Sequence, residues 1–164
     1  MATVEHPRGP RRIGNVELPA IDQVGYVVKS LDDTTRRYAQ LFGPFTFMDS
    51  PLTGVTYRGT PADVNLRIAY GSAGELEMEF IEVLSGASPH AEFLAAGREG
   101  IHHIRYRVPD CDATIAALRG EGFAPIWYHD MGFAKFAYLE HASRDGVLIE
   151  LLEMGGAAQT QGGA

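Results

Sequence analysis

The sequence contains one cysteine, two lysines and no long apolar run, and each shortage excludes a class of protein. Cys111 has no second cysteine with which to form a disulfide, which is typical of a reducing compartment. Apolar runs stay below about ten residues, whereas a membrane-spanning helix needs about 20, and no apolar stretch follows the N-terminal charges as in a signal peptide. We therefore expect a cytoplasmic protein without a membrane span.

Positive charge is also scarce in this chain. The 14 Lys and Arg residues are outnumbered by 21 Asp and Glu residues, and the net charge is −7. Basic residues do not cluster beyond the N-terminal segment, so nucleic acid is not an expected partner. The length of 164 residues, with 45% hydrophobic and 21% charged residues, predicts one domain or two small modules that share a core.

The distribution of proline and glycine divides the chain into segments. Residues 1–19 contain three prolines and no apolar period, which predicts a mobile arm. Residues 155–164 are rich in glycine and uncharged, which predicts a disordered tail. Residues 20–84 and 101–154 are the two predicted modules, and residues 85–100 are a linker with a short helix.

An internal repeat relates the two modules. DQVGYVVKSLDDTTRRYAQLFG from Asp22 aligns with HHIRYRVPDCDATIAALRGEGF from His102 at an offset of 80 positions, and each copy has the pattern of a strand, a turn and a helix. LEMEFIEV from Leu76 aligns with VLIELLEM from Val147 at an offset of 71. Short strand-like runs lie between these landmarks in both halves. The sequence therefore predicts an α+β fold made of two βαβββ modules.

Four polar residues occupy equivalent repeat positions in strands that are otherwise apolar. Gln23 aligns with His103, and Glu79 aligns with Glu150. The alternation of side chains along a strand gives all four the same inward parity. A carboxylate buried in a sheet needs a partner or a cation, and the chain has only two lysines. A divalent ion bound by one nitrogen and three oxygen ligands satisfies all four residues together.

Neighbouring residues of the same types receive a different interpretation. Glu77 shares the parity of Glu79, but its repeat partner is apolar, so it ranks below Glu79 as a ligand. His102 has the parity of the residues that face a helix, and we do not expect it to bind the metal. Glu82 and Glu153 also form a symmetric pair, but they lie at strand ends, where we expect solvent around them.

At this point the residues resemble the vicinal oxygen chelate superfamily over nearly all of residues 20–154. The most specific stretches are DQVGYVVKSLDD, GREGIHHIRYRVPD and DGVLIELLE, and the last two are similar to segments of methylmalonyl-CoA epimerases. The resemblance implies a curved mixed sheet around one divalent metal ion. It also implies that Gln23, Glu79, His103 and Glu150 are the metal ligands.

The ligand set departs from that of the epimerases, which have His at the position of Gln23. The order Gln, Glu, His, Glu is instead similar to zinc-type glyoxalase I enzymes. Extradiol dioxygenases of the superfamily use two histidines and one carboxylate, and this chain offers one inward histidine, so that activity is disfavoured. A non-catalytic protein that binds an antibiotic or a metabolite is the alternative.

The resemblance implies a lyase or isomerase that removes a proton next to a metal-polarised carbonyl, as glyoxalase I and the epimerases do. Glu150 and Glu79 are the candidate bases. The resemblance further implies that the metal is Zn, Ni, Co or Mn, and that the substrate is a 2-oxo compound, a hemithioacetal or an acyl-CoA thioester.

Three further residues are candidate substrate contacts. Arg105 has the inward parity of His103 and would pair with a substrate carboxylate or phosphate, although a salt bridge at the rim explains it equally well. Arg67 and Tyr57 are weaker candidates of the same kind. The polar segment 56–71 is predicted to be a lid or specificity loop. We also expect a homodimer, because uncovered sheet edges favour pairing between copies.

Overall fold

The computed structural model describes residues 9–144 and 146–155, and within them it contains the two predicted βαβββ modules. The first module consists of β3 (Gln23–Val27), α1 (Leu31–Phe42), β4 (Thr46–Tyr57), β5 (Thr60–Ala73) and β6 (Leu76–Gly86). The second consists of β7 (Gly100–Arg107), α3 (Cys111–Arg119), β8 (Phe123–Asp130), β9 (Ala134–His141) and β10 (Leu148–Met154). The remaining elements are β1 (Arg11–Ile13), β2 (Val16–Leu18) and α2 (Pro89–Ala95), and α2 lies in the predicted linker.

The strands of both modules form one closed mixed sheet, in the order β10, β7, β3, β6, β5, β4, β8, β9. β3 is parallel to β6 and β7 is parallel to β10, whereas β3 and β7 are antiparallel neighbours. The ring closes where Thr56 and Tyr57 of β4 pair with β8. The predicted curved mixed sheet is confirmed. The expectation of uncovered edges is wrong for this sheet, because each of its strands has two neighbours.

The symmetric glutamates at the strand ends contact the helices. Glu82 Oε2 accepts a hydrogen bond of 2.8 Å from the backbone N–H of Leu31, at the start of α1. Glu153 Oε2 accepts the equivalent bond of 2.8 Å from Cys111, at the start of α3. A carboxylate at a helix N-terminus satisfies a free N–H group and interacts favourably with the helix dipole. The expectation that solvent alone surrounds this pair is therefore wrong.

The N-terminal segment also differs from the prediction. Residues 11–18 form the β1–β2 hairpin, and Val16 and Leu18 are buried against Ile115 and Leu118 of α3. The alternation of Val16, Glu17 and Leu18 turns two apolar side chains to the same face, which gives this part of the chain a core contact. The expected arm at residues 1–8 and the expected tail at residues 156–164 lie outside the described residues.

The segment 56–71, predicted to be a lid, is β-structure. It forms the end of β4, a turn and most of β5. The two strands pair from Tyr57 and Thr60, beside the turn, to Thr46 and Tyr70. Arg58 and Gly59 have positive φ angles of 47° and 81°, so a tight turn joins the strands. Among the described helices, none has the length and apolar character needed to cross a membrane.

Candidate metal centre

His103, Glu79 and Glu150 meet where the two modules join. Gly25 of β3 pairs with His103 of β7 on one side and with Glu79 of β6 on the other. His103 Nε2 lies 3.1 Å from Glu79 Oε2 and 3.3 Å from Glu150 Oε2, and all three side chains are buried. A Cβ atom on Gly25 would overlap the imidazole ring. The absence of a side chain at Gly25 therefore makes room for His103.

The electrostatics of this cluster favour a positive charge between the carboxylates. Burial disfavours the His103 cation, but hydrogen bonds with Glu150 and Glu79 outweigh burial and raise the pKa of His103 to about 9. Burial raises the pKa of the Glu150 carboxyl, and the contact with His103 opposes that shift. Tyr138 stacks on the His103 ring at a centroid distance of 4.6 Å, which restricts the orientation of the ring.

Gln23 lies beside this cluster with one polar atom unused. Its Nε2 donates a hydrogen bond of 2.7 Å to Glu77 Oε1, and its side chain is buried. No described group donates to Gln23 Oε1, although that oxygen is inaccessible to solvent. A buried carbonyl oxygen without a partner is costly, and ligation of a cation removes the cost.

The residues present fit a divalent metal ion. One ligand atom from each of Glu79, His103 and Glu150 lies within 4.8 Å of the others, and Gln23 offers a further oxygen. One imidazole nitrogen and three oxygens suit Zn, Ni, Co or Mn. Glu77, which ranked below Glu79, contacts Gln23 and Arg105 instead of this cluster.

His102 lies at an irregular position of β7. The register between β3 and β7 passes from Gly25 opposite His103 to Tyr26 opposite Ile101, so His102 is the extra residue of a β-bulge. The bulge brings His102 Nδ1 to 3.1 Å from His103 Nδ1, and His102 is buried. His102 also packs against Phe93 of α2, as expected for a residue that faces a helix.

His90 extends the cluster, and sequence reasoning missed it. It lies near the start of α2, and its Nε2 is 3.1 Å from the hydroxyl of Tyr138. Burial lowers the pKa of His90 to about 3 and lowers that of His102 well below its usual value, so both rings are neutral. His90, His102 and His103 therefore form a second group with the spacing of metal ligands. The repeat gave no signal for His90, because the linker has no counterpart in the other module.

Arg105 reaches the site, but its guanidinium is already paired. Nε and Nη2 donate to the two carboxylate oxygens of Asp22 at 2.8 Å and 3.0 Å, and Nη2 lies 3.2 Å from Glu77 Oε1. The side chain is buried, and Asp22 also pairs with Arg107. The salt bridge that the sequence left open as an alternative is therefore present.

The structure does not bring the other two candidate substrate contacts to the centre. Arg67 lies on the opposite face of β5 from its cavity-lining neighbours and forms an ion pair of 3.0 Å with Asp32 of α1. Tyr57 donates a short hydrogen bond to Glu92 of α2. Neither residue lines the cavity described next.

A cavity of about 430 Å³ opens above Glu79 and Glu150. Its walls come from β4, β5 and β6 of the first module and from β8, β9 and β10 of the second. Most of the lining side chains are apolar, and the aromatic ones are Tyr70, Trp127, Phe133, Phe136 and Tyr138. The two modules thus complete one cavity within a single chain.

Comparison with known sequences identifies the family. The profile of the Glyoxalase/Bleomycin resistance protein/Dioxygenase superfamily matches residues 22–138, which are most of the chain. The chain therefore belongs to this superfamily, and the resemblance read from the sequence is confirmed at this level.

Individual relatives share about a quarter of their residues with this chain. The chain is 27% identical to the uncharacterized protein YqjC of Bacillus subtilis (strain 168) over 136 residues, which cover 81% of this chain and 91% of that protein. It is also similar to the crystal structure of hypothetical protein BH1468 from Bacillus halodurans C-125, with 27% identity, 85% and 97% of the two chains covered and a TM-score of 0.61.

Methylmalonyl-CoA epimerases are among the similar structures. The enzyme from Mycobacterium tuberculosis has 22% identity, with 85% of this chain and 90% of that chain covered and a TM-score of 0.62. At this identity the likeness shows a shared fold and not a shared activity.

Proposed function

We propose that this chain is a metal-dependent lyase or isomerase that removes a proton from the carbon next to a carbonyl group. The observation that carries the proposal is the meeting of two carboxylates, Glu79 from the first module and Glu150 from the second, at Nε2 of His103. Both carboxylates line a partly open, largely apolar cavity. Carboxylates in such a cavity can act as general acid and general base in proton transfer at carbon.

The residues that would hold the ion are Gln23, Glu79, His103 and Glu150. A divalent ion bound there supplies a Lewis acid that polarises the substrate carbonyl. His103 contributes Nε2, because Nδ1 faces His102. Gln23 contributes Oε1, because Nε2 is held by Glu77. These contacts orient both ligands before an ion arrives.

Glu150 is the proposed base, and Glu79 is the second acid–base group. Glu150 lies at the candidate centre and lines the cavity, which would place its carboxylate beside the carbon next to the carbonyl. A metal-bound carboxylate can dissociate from the ion, so Glu150 would be free to accept the proton, and either glutamate would return it. Return to the neighbouring carbon gives an isomerised product, and return to the opposite face of the same carbon gives an epimer.

The candidate substrates are 2-oxo compounds, hemithioacetals and acyl-CoA thioesters. One similar structure, at 24% identity, is a methylmalonyl-CoA epimerase in complex with methylmalonyl-CoA and NH4+. This similarity supports including acyl-CoA thioesters among the candidate substrates. The proposal includes a homodimer that associates outside the closed sheet, which sedimentation of the purified protein tests.

Proton exchange in D₂O, followed by NMR on each candidate substrate, tests the proposal. We expect exchange at the α-carbon with wild-type protein that carries about one divalent ion per chain, measured by elemental analysis. Glu150→Gln should reduce exchange at least about 100-fold with unchanged thermal unfolding. Glu75→Gln, at an exposed glutamate away from the cavity, is the matched control. Near-normal exchange by Glu150→Gln would contradict the assigned base.

A non-catalytic binding protein is the second candidate, and the apolar lining of the cavity favours it. Such a protein would bind small molecules with the same affinity before and after removal of metal, and it would exchange no proton. Measuring proton exchange, together with ligand affinity before and after removal of metal, therefore separates the two functions.

A further inference from the structure

A cluster of three histidines lies beside the candidate metal centre. His90 belongs to α2, His102 and His103 belong to β7, and all three side chains are buried. One ring nitrogen of each lies within 4.8 Å of the others. His103 meets the glutamates through Nε2, so its Nδ1 is left for this cluster. The cluster therefore offers three imidazoles and no carboxylate.

The spacing of the rings fits one ion in contact with all three. Two imidazoles bound to a tetrahedral ion have ring centroids about 5 Å apart and ligand nitrogens about 3.3 Å apart. The ring centroid of His102 lies 5.0 Å from that of His90 and 5.4 Å from that of His103. The Nδ1 atoms of His102 and His103 are 3.1 Å apart. The centroids of His90 and His103 are 6.4 Å apart, so closure around an ion requires His90 to move by about 1 Å.

His90 has one ring nitrogen that the protein does not use. Its Nε2 lies 3.1 Å from the hydroxyl of Tyr138. Its Nδ1 is inaccessible to solvent, and no described group bonds to it. A hydrogen bond explains the contact between His102 and His103, but it leaves this atom of His90 without a partner. Binding of an ion at Nδ1 would remove the cost of its burial and keep the contact of Nε2 with Tyr138.

The histidine cluster can be reached from two sides. His90 lines the cavity of about 430 Å³ that also contains Glu79 and Glu150. His102 lines a second cavity of about 120 Å³, which lies beside α2. The cluster therefore lies between two cavities, and an ion can enter it without passing through the apolar core.

We propose that His90, His102 and Nδ1 of His103 form a second metal site, and that its ion is copper. Three imidazoles without a charged ligand suit an ion that favours nitrogen, and copper(II) has the highest affinity of the divalent first-row ions for such ligands. Zinc fills the carboxylate centre first, because Glu79 and Glu150 supply the charge that balances it. The His103 ring then lies between the two ions, and its Nδ1 gives up a proton when copper binds. The second site does not depend on the proposed proton abstraction.

A titration of the zinc-bound protein with Cu²⁺ tests the proposal. The starting sample carries about one Zn²⁺ per chain, and elemental analysis after removal of unbound ions counts both metals. Electron paramagnetic resonance counts the nitrogens bound to copper. We expect one Cu²⁺ per chain with three nitrogen ligands, and we expect the zinc to be retained. A chain that holds a single ion throughout, because copper only displaces zinc, would overturn the proposal.

Substitutions of His90 show whether the copper lies in the cluster. His90→Phe keeps a ring in place and removes both nitrogens, and His90→Gln keeps a polar group near Tyr138. Both variants should bind copper at least about tenfold more weakly, with unchanged zinc content and cooperative thermal unfolding. His129→Gln, at a half-buried histidine outside the cluster, is the matched control and should bind copper as the wild type does.

Two results with these variants would contradict the second site. Wild-type copper affinity in both His90 variants would show that the ion lies elsewhere, and an equal loss in His129→Gln would show that copper binds adventitiously to accessible histidines. Zinc binding without copper binding would contradict this inference and leave the proposed function intact.

Discussion

The two modules share a backbone plan but contribute unlike side chains to the centre. Their first strands, β3 and β7, lie side by side, and the repeat pairs Gln23 with His103 and Gly25 with Arg105. At these positions the first module has an amide and a glycine without a side chain, whereas the second has an imidazole and a guanidinium. The imidazole of His103 lies against Gly25, where any side chain would overlap it.

This difference separates the positions at which the two modules carry equivalent residues from the positions at which they differ. The repeat is kept where symmetry serves stability, as in the Glu82 and Glu153 contacts to the two helices. It is kept again where two carboxylates must approach one point, as in Glu79 and Glu150. It is broken where one bulky ligand has to occupy the interface between the modules, and five substitutions can break or sharpen the comparison.

Gly25→Ala should have the largest effect. The new Cβ overlaps the buried His103 ring, which Tyr138 also contacts, so the ring has to leave its present position. We expect metal affinity to fall at least about 100-fold and the free energy of unfolding to fall by about 1–3 kcal/mol. Calorimetric titration with Zn²⁺ and urea unfolding measure the two effects.

Gly146→Ala is the control for this substitution, because a Cβ at Gly146 meets nothing within 4 Å. Unchanged metal affinity in folded Gly25→Ala would show that the position of the His103 ring is not set by the glycine.

Gln23→Leu tests the ligand that the first module contributes opposite His103. Loss of the unpartnered Oε1 should weaken metal binding by about tenfold, while the apolar replacement keeps the strand buried. Glu77→Gln is the matched control, since it retains a hydrogen-bonding group beside Gln23 and removes a carboxylate outside the cluster. If Glu77→Gln weakens metal binding more than Gln23→Leu, the assignment of Gln23 as a ligand is wrong.

His102→Leu tests the bulge in β7. His102 contacts the ring nitrogen of His103 that does not face the glutamates, and such contacts orient a metal-binding histidine. We expect about tenfold weaker metal binding. His102→Asn, which keeps a polar atom near the position of Nδ1, should recover most of the affinity. Equal affinities of the two variants would leave His102 with a packing role only.

Glu82→Gln and Glu153→Gln should have the smallest effects and should resemble each other. Each removes a charge from the first N–H of a helix, which lowers the free energy of unfolding by about 0.5–1 kcal/mol. Metal affinity should not change, because neither residue touches the cluster. Urea unfolding of both variants checks the symmetry, and a much larger loss in one of them would show that the modules are unequally stable.

Much of the fold was predictable from the sequence, because the repeat and strand periodicity are local patterns. The same patterns predicted an inward face shared by Gln23, Glu79, His103 and Glu150, and the ligand atoms of the last three lie within 4.8 Å of one another. The bulge at His102 and its contact with His103 did not follow, because a bulge depends on the register between β3 and β7. The pairing of Arg105 with Asp22 joins residues distant in sequence, and nothing local indicates it.

X-ray absorption spectroscopy of the zinc-loaded protein tests the central claim most directly, because it counts the imidazole ligands of the ion. With His103, Glu79, Glu150 and Gln23 as ligands, the spectrum should contain one imidazole nitrogen and otherwise oxygen at about 2.0–2.2 Å. The His103→Ala variant should lose this signature. Two or more imidazoles per ion would instead place the metal among His90, His102 and His103, and would contradict the proposed centre.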